Sequence, residues 1–522
     1  MSSKKARRRE RHEQNQDRSR SRLSPVALFI LSIGFAVLVT VVGAVVFGDR
    51  SGRGEPLVAG GLPATAHGQV ALVGGTAIIG DGSSPIVGSV VLVDGDRITC
   101  VGTAGDCPIP DVVERMNVAG QFITPGLVDA HVHFSQTGWW DGRPDGLSAP
   151  DIYPYLKTSR ELRADPGRWH RSYLCSGITA VFDVGGHPWT TTLPDASEND
   201  TIAVHVRAAG PLITHAPRTA LMADEEHYTF LPMDTPAEVA RSVETLVEMG
   251  SSAVKVWYLR PSAERRDELD ARLMQIGDLA RDAGLDLIVH ATSLREAKAA
   301  LRAGAKLLVH SVGDELVDDE FLNLLRANQA VYAPTLVVGV FSSRAMASIA
   351  LNEPHPIDDP NGCVDPGTVN KVNETRVLQE LMRPAQRAPQ AIYRRMEQSG
   401  RSSFVKAENL RRVHDAGGIV ATATDAGNPL TLHGPSIYNE MEAMQDAGID
   451  PADIVTMSTQ NGALTMGRLG DFGTLEAGKI ADLIVLDEDP TADVRAFRSL
   501  THVMRAGVFR PQQELAWRRP AR

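Results

Sequence analysis

Two histidines, His131 and His133, lie two residues apart in the stretch GLVDAHVHF at the end of an apolar run. Alternate residues of a β-strand point to the same face, so both imidazoles can reach one ion. A His-x-His pair is weak evidence by itself, because a histidine after an apolar run is more often a satisfied core residue. The pair predicts half of a metal site only if other ligand-type residues fall beside it.

Four further residues with suitable chemistry lie in or at the ends of other apolar runs. Lys255 lies within AVKVW, His290 ends LDLIVH, His310 ends AKLLVH and Asp425 ends GIVATATD. Each has an ordinary structural explanation when taken alone, but six such residues at matched positions make a chance arrangement improbable. Lys255 is the most unusual, because an ammonium ion is costly to bury in an apolar strand. It needs a neutral form, an ion partner or a chemical modification.

Eight apolar runs that alternate with amphipathic stretches would position these residues. Such a pattern predicts a (β/α)₈ TIM barrel, whose parallel strands are buried on both faces and whose active site lies at their C-terminal ends. The predicted strands are residues 122–133, 177–185, 201–214, 251–259, 285–292, 305–312, 329–338 and 417–425. The longest irregular connection, 339–400, is predicted to be a lid or a specificity loop, with a disordered excursion as the alternative.

Short β-type runs punctuated by glycine lie on both sides of the barrel sequence. They predict a small composite β-sandwich domain built from residues 69–124 plus 470–515, with the barrel over residues 125–469 inserted between its halves. The stretch 49–68 is rich in Gly, Pro and Ala and is predicted to be a linker.

The N-terminus predicts one transmembrane helix. Residues 26–48 contain no charge over a length sufficient for a bilayer. The preceding residues 1–25 are strongly basic, so the positive-inside rule predicts a cytoplasmic tail and an extracytoplasmic catalytic domain. A cleaved signal peptide is the alternative, but the small-residue stretch at 64–66 lies too far beyond the apolar segment. The lipid bilayer is therefore an expected partner through residues 26–48.

Charge and cysteine content limit the remaining partners. The net charge is −11 although the tail is basic, so the body is too acidic to favour a nucleic-acid backbone as a partner. Four cysteines are too few for a disulfide scaffold. Cys100 and Cys107 could form a local disulfide in an exported protein, and two free thiols are an equal alternative.

The chain resembles the amidohydrolase superfamily over roughly residues 69–510. The resemblance rests on TPGLVDAHVH, GITAVFDVG, VKVW, VHAT, VHSV, ATDAG and the tail NGALTMGRLGDFGTLEAGKIADLIVLDEDP. Specifically, it looks like the subgroup that carries a lysine on the fourth strand, near the imidazolonepropionase-like and prolidase-like metal hydrolases. Taken together these motifs are specific, although none of them is specific alone.

The resemblance implies a site with two divalent metal ions. His131, His133 and Asp425 would bind the more buried ion, His290 and His310 the second, and Lys255, carboxylated by CO₂, would bridge them as a carbamate. This donor set suits Zn²⁺, while Mn²⁺, Fe²⁺ and Co²⁺ remain compatible.

The implied reaction is hydrolysis of an amide-type C–N bond in a peptide, an N-acyl compound or a cyclic amide. A hydroxide bridging the two ions would attack the substrate carbonyl, and one ion would polarise that carbonyl. Asp425 would carry the proton from the nucleophile to the leaving nitrogen. The expected substrate is a small molecule or a short peptide.

Departures from the prolidase-like pattern keep other interpretations open. The loop AAGPLITHAPRTA keeps His215 without the expected glycines, so His215 is a candidate substrate contact and equally a structural loop histidine. A mononuclear deaminase of the same superfamily is one alternative, against which Lys255 counts. A non-catalytic anchored binding module is another, although such relatives usually lose ligands and all six are present here.

Overall fold

The computed structural model of the protein describes residues 68–141, 143, 149–216 and 227–518. The predicted tail 1–25 and the predicted anchor 26–48 lie outside the described residues, as does the predicted linker up to residue 67. Within the described part, no helix is both long and apolar enough to cross a bilayer. The apolar helix Leu336–Leu351 has only 16 residues, whereas a span needs about 20. The prediction of a single-pass membrane topology, with a bilayer partner and an extracytoplasmic catalytic domain, is therefore wrong.

The strands are mostly short and apolar, and in the barrel they are buried on both faces, as parallel barrel strands must be. In chain order they are β1 (Gln69–Val73), β2 (Thr76–Ala77), β3 (Val90–Asp94), β4 (Arg97–Gly102), β5 (Glu114–Asn117), β6 (Phe122–Pro125), β7 (Leu127–Val132), β8 (Ile178–Asp183), β9 (His205–Ala208), β10 (Leu212–Thr214), β11 (Phe230–Pro232), β12 (Ala253–Trp257), β13 (Asp286–His290), β14 (Leu307–Val309), β15 (Val331–Ala333), β16 (Ile419–Val420), β17 (Leu483–Leu486), β18 (Leu500–Arg505) and β19 (Val508–Pro511).

Helices follow most barrel strands and cover the outside of the barrel. In chain order they are α1 (Tyr155–Ala164), α2 (Gly167–Cys175), α3 (Leu193–Ser197), α4 (Pro236–Glu248), α5 (Arg266–Asp282), α6 (Leu294–Arg302), α7 (Asp319–Ala327), α8 (Leu336–Leu351), α9 (Pro366–Asn373), α10 (Thr375–Leu381), α11 (Pro384–Arg387), α12 (Pro389–Asp415), α13 (Ser436–Asp446), α14 (Pro451–Ser458), α15 (Gln460–Thr465) and α16 (Gln512–Leu515), with 3₁₀ helices at Pro188–Thr192 and Val494–Ser499.

Eight strands, β7, β8, β9 and β12 to β16, form a closed parallel ring. Strands β7, β8 and β9 pair in one sheet, and β12 to β16 pair in another. The backbone N–H of Ser252 donates to the Ala208 carbonyl at 2.8 Å and joins β9 to β12. On the other side, Ala130 donates to the Thr422 carbonyl at 3.0 Å and joins β7 to the segment after β16. The α/β fold that the sequence predicts is confirmed.

The predicted third strand, 201–214, is interrupted. It forms β9 and β10, which lie in different sheets. The break falls at Ala209-Gly210-Pro211, where Gly210 has a φ of +66° and Pro211 has no N–H to donate. The predicted irregular connection 339–400 is instead largely helical, because α8 to α12 occupy most of it.

The two ends of the described chain share a sheet. Strand β17 pairs antiparallel with β6, with Ile484 opposite Thr124. The sheet β19-β18-β17-β6-β2 and the sheet β4-β3-β1-β5 contribute to one apolar cluster, whose buried members include Leu72, Val91 and Val485. The exact domain boundaries, 69–124 plus 470–515 and 125–469, stay a prediction.

A buried charge cluster lies at the junction of the barrel and these C-terminal strands. His205 on β9 lies 2.9 Å from Asp482 through Nε2 and 2.9 Å from Glu198 through Nδ1. Arg505 on β18 lies 3.7 Å from the same Asp482 carboxylate. Burial disfavours the imidazolium, but the two carboxylates outweigh it and raise the pKa of His205.

All four cysteines form disulfides. The Cys100–Cys107 bridge, one of the two alternatives left open by the sequence, closes a short segment next to β4. The Cys175–Cys363 bridge joins the end of α2 to the connection between β15 and β16, across a sequence separation of 188. This second disulfide ties the helical connection to the barrel wall.

Candidate metal centre and active site

His131 and His133 converge at the C-terminal end of β7. The register of β7 against β8 shifts by one residue here, because Asp129 pairs with Val181 but Val132 pairs with Asp183. Such an extra residue changes the direction of the side chains near it. The Nε2 atoms of the two histidines lie 3.2 Å apart. The Nδ1 of His133 donates to the Gly185 carbonyl at 2.6 Å, so its Nε2 presents a lone pair to the site.

Asp425 completes a compact group of ligand atoms. Its Oδ1 lies 2.9 Å from His133 Nε2 and 3.4 Å from His131 Nε2, and all three ligand atoms lie within 4.8 Å of one another. This oxygen is buried and accepts no hydrogen bond in the described structure. A carboxylate oxygen facing an imidazole lone pair is repelled unless a cation lies between them. The three residues therefore fit a divalent metal ion.

His290 and His310 extend this group: His290 ends β13, and His310 directly follows the neighbouring strand β14. The ring centroids of His131 and His310 are 5.2 Å apart, and those of His310 and His290 are 4.4 Å apart. His310 Nδ1 lies 2.7 Å from Thr335 Oγ1, which orients the ring. Burial, together with the neighbouring Lys255 and histidines, lowers the pKa of the three rings well below the usual range. They are therefore neutral, as metal ligands must be.

Lys255 lies in the same cavity and is 2% exposed. No described carboxylate lies within ion-pair distance of its amine. Burial lowers its pKa to about 7, against the opposing attraction of Asp425. The Lys255 amine therefore loses its proton more readily than the amine of a lysine exposed to water.

Asp129 holds β7 against the segment that carries Asp425. Its carboxylate accepts from Thr424 Oγ1 at 2.6 Å, from the Thr424 N–H at 3.0 Å and from the His131 N–H at 3.2 Å. Burial raises the pKa of Asp129 to about 7, although these donors favour its carboxylate. Asp425 and His310 both adopt positive φ, +63° and +76°, conformations that non-glycine residues hold only where the surroundings impose them. The network thus fixes the ligands in place.

The ligand group lies at the base of a cavity of about 270 Å³. Leu212, Phe230 and Trp257 give it an apolar lining, and the Phe230 and Trp257 rings stack with centroids 5.2 Å apart. Lys406 and Arg143 give it positive charge, and Arg143 is held by the side-chain oxygens of Gln136 and Asn428. The cavity can therefore hold a small organic molecule with apolar and polar parts.

The structure brings six of the predicted site residues to one cavity but not the seventh. Its lining includes His131, His133, Lys255, His290, His310 and Asp425. His215 is not among the lining residues; its Nε2 lies 3.0 Å from the Leu259 carbonyl. A role for His215 as a substrate contact stays a prediction. His433 supports the site from behind, since its Nε2 lies 3.1 Å from the His133 carbonyl and its ring stacks on Trp169.

The sequence interpretation did not identify Trp257 or Lys406. Trp257 follows Lys255 by two residues, so strand alternation alone could have placed both on one face. Lys406 lies on α12, far from any strand end, and its sequence context FVKAENL is that of an ordinary amphipathic helix. Only the packing of α12 against α8 and β16 brings it to the cavity.

The chain belongs to the amidohydrolase family: residues 122–509 match the model of that family. The resemblance drawn from the sequence is thereby confirmed. The protein is a hydrolase that acts on carbon–nitrogen bonds. Members of this superfamily typically bind divalent metals, in agreement with the His131, His133 and Asp425 group.

Two curated relatives and one solved structure illustrate the similarity. Imidazolonepropionase of Streptomyces coelicolor is 25% identical over 441 residues, which cover 81% of this chain and 90% of that protein. Ochratoxinase of Aspergillus niger is 23% identical over 484 residues, which cover 87% and 88%. The crystal structure of a Xaa-Pro dipeptidase with bound methionine matches with a TM-score of 0.64 at 19% identity, covering 85% of this chain and 100% of that one. This structural likeness concerns the fold alone.

Proposed function

We propose that this protein uses two divalent metal ions to hydrolyse an amide-type C–N bond in a small molecule or short peptide. The observation that carries the proposal is that six ligand-type side chains, which lie on or just after five barrel strands, line one cavity with an apolar portion. We further propose that the barrel over residues 125–469 carries the chemistry and that the composite β domain, 69–124 plus 470–515, supports it.

The ligands divide into two groups. His131, His133 and Asp425 would hold the more buried ion, and His290 and His310 the second. When bound, two divalent ions, with Zn²⁺ favoured by the nitrogen and oxygen donors, supply Lewis acidity to a carbonyl and lower the pKa of water towards about 7.

Lys255 would join the two groups of ligands as a carbamate. Its neutral amine attacks CO₂, an N–C bond forms, and one proton is released to solvent. The product carries a negative charge on oxygen and offers two ligand atoms. The modification removes the unfavourable buried ammonium, which no described carboxylate compensates.

Asp425 would move the proton. It accepts a proton from the attacking water and donates it to the nitrogen of the leaving amine, which then departs as a neutral group. Its backbone N–H donates to the His131 carbonyl at 2.7 Å, so the carboxylate is held against the ligand histidines throughout. The buried ligand histidines, being neutral, do not compete for this proton.

Metal analysis of the purified full-length chain tests the proposal. We expect about two equivalents per chain, and loss of both metal and hydrolysis in Lys255→Ala. Lys298→Ala serves as the matched control, because Lys298 pairs with Asp318 and Glu320 away from the cavity. One equivalent of metal together with an unaffected Lys255→Ala variant would contradict the two-ion site.

A substrate screen separates the remaining functions. Dipeptides, N-acyl amino acids and lactams test amide hydrolysis, the reaction class of the proposal. Ammonia release from amino-substituted heterocycles without amide cleavage would favour the mononuclear deaminase instead. Metal binding without turnover of any compound would favour a non-catalytic binding module.

A further inference from the structure

Lys406 lies between two cavities. It lines the catalytic cavity and also a neighbouring polar cavity of about 260 Å³, and the two cavities share Thr292. A Cβ built on Gly313, which lines the polar cavity, would lie 3.1 Å from Lys406 Cε. A Cβ built on Gly339, which lines the catalytic cavity, would lie 3.7 Å from Lys406 Nζ. The lysine stem therefore passes through the neighbouring cavity and its ammonium reaches the catalytic one.

The ammonium of Lys406 has no hydrogen-bond or ion-pair partner among the described residues. The carboxylates that influence it are already engaged. Glu440 accepts from the N–H groups of Leu336 and Val337 at 2.7 and 3.1 Å, at the start of α8. Asp425 belongs to the ligand group. By contrast, Arg260, the other cation of the polar cavity, lies 2.6 Å from Asp314.

An unpaired cation next to the ligand group is unfavourable without an anionic ligand. Burial lowers the pKa of Lys406, while Glu440 and Asp425 act to raise it. Two lysines face this cavity, and they differ in exposure and position: Lys255 is buried, whereas Lys406 is half-buried. Lys255 comes from a barrel strand among the ligands, whereas Lys406 comes from α12 and is not one of the predicted ligands. A cavity group that is not a metal ligand is available to contact a part of the substrate other than the reacting bond.

We propose that Lys406 determines substrate specificity by binding a carboxylate on the substrate. The preferred substrates would then be amides that carry a free carboxylate, such as N-acyl amino acids, with an apolar group against the lining of Trp257 and Phe230. This proposal rests on the proposed amide hydrolysis and specifies its substrate class. Carboxylate and ammonium form a charge-assisted pair, in which the substrate supplies the missing partner.

Two compounds that differ only in the carboxylate test the proposal on the full-length chain. N-acetyl-phenylalanine carries it, and N-acetyl-phenethylamine does not. In Lys406→Met we expect KM for the acid to rise about 10- to 100-fold, because a hydrogen bond to a charged group contributes about 1.5–3 kcal/mol. KM for the neutral amide should stay within about twofold, and Lys406→Arg should recover most of the loss. Arg395→Met, which removes an exposed charge from the same helix, should change neither.

Several outcomes would overturn the assignment. Equal changes in KM for both compounds would indicate a structural role for Lys406 on α12. A wild-type preference for the neutral amide would show that no carboxylate is bound. If neither compound is hydrolysed, the proposed function itself is in question, and calorimetric binding of both compounds then decides the inference. Tighter binding of the acid that is lost in Lys406→Met supports it, and equal binding contradicts it.

Discussion

Removal of the Asp129 carboxylate should weaken both the fold and the metal centre. Its carboxylate accepts from the Thr424 hydroxyl, the Thr424 N–H and the His131 N–H, all of them buried. In Asp129→Ala these three donors lose their partner. Each buried unsatisfied group costs about 1–3 kcal/mol, so three of them give an expected loss of about 3–9 kcal/mol in the free energy of unfolding.

The Asp129→Asn variant keeps the size of the side chain and removes its negative charge, so it separates the contribution of packing from that of charge. In Asp129→Asn the amide oxygen can still accept from the backbone, and the amide N–H can donate to the Thr424 hydroxyl, which accepts as well as donates. We expect a smaller loss, about 1–2 kcal/mol. Thr422→Val is the matched control, because Thr422 lies on the same segment as Thr424. This substitution removes the 2.7 Å hydrogen bond between the hydroxyls of Thr422 and Ser458 and leaves the partners of Asp129 in place.

Urea denaturation and metal analysis of the same preparations provide the measurement. We expect metal content to fall in Asp129→Ala, less in Asp129→Asn, and to stay unchanged in Thr422→Val. A stability loss below about 1 kcal/mol in Asp129→Ala would refute the hydrogen-bond argument. A destabilised variant that keeps its full metal content would refute the positioning of the ligands by Asp129. Should the alanine variant not fold, the asparagine variant carries the comparison.

The remaining predictions concern stability. Because the pKa of His205 is raised in the folded chain, its stabilisation is complete below about pH 6.5 and is lost as pH rises through the folded value. Thermal melts at pH 6 and pH 9 should show this loss, and His205→Gln should not. Cys363→Ser should lower the free energy of unfolding by about 5 kcal/mol and Cys107→Ser by about 2, since loop-closure entropy grows with loop length. Equal losses in urea denaturation would contradict that account.

Much of the site arrangement could be predicted from the order of strands. Parallel strands of a barrel end at one face, so ligand-type residues at the ends of several apolar runs must meet there. The order of strands therefore predicts one shared location for His131, His133, His290, His310 and Asp425. The burial of Lys255 follows from its position inside an apolar strand.

Other features depend on contacts between distant parts of the chain. The Cys175–Cys363 disulfide joins residues 188 positions apart, and no local sequence pattern predicts this pairing. Lys406 is brought to the cavity by the packing of α12, and Gly313 leaves room for its stem. The expected membrane topology was wrong: among the described residues, no helix is long and apolar enough to cross a bilayer.

The sequence by itself thus determined the family, the α/β fold and a set of candidate ligands, because strand and helix periodicities are local and the order of the elements is preserved along the chain. Tertiary structure decided which atoms face one another. Examples are the 2.9 Å approach of His133 Nε2 and Asp425 Oδ1, and the ammonium of Lys406, which has no hydrogen-bond or ion-pair partner among the described residues. These features require segments that are far apart in the chain to approach each other closely. Side-chain packing determines that approach, and the local order of residues does not predict it.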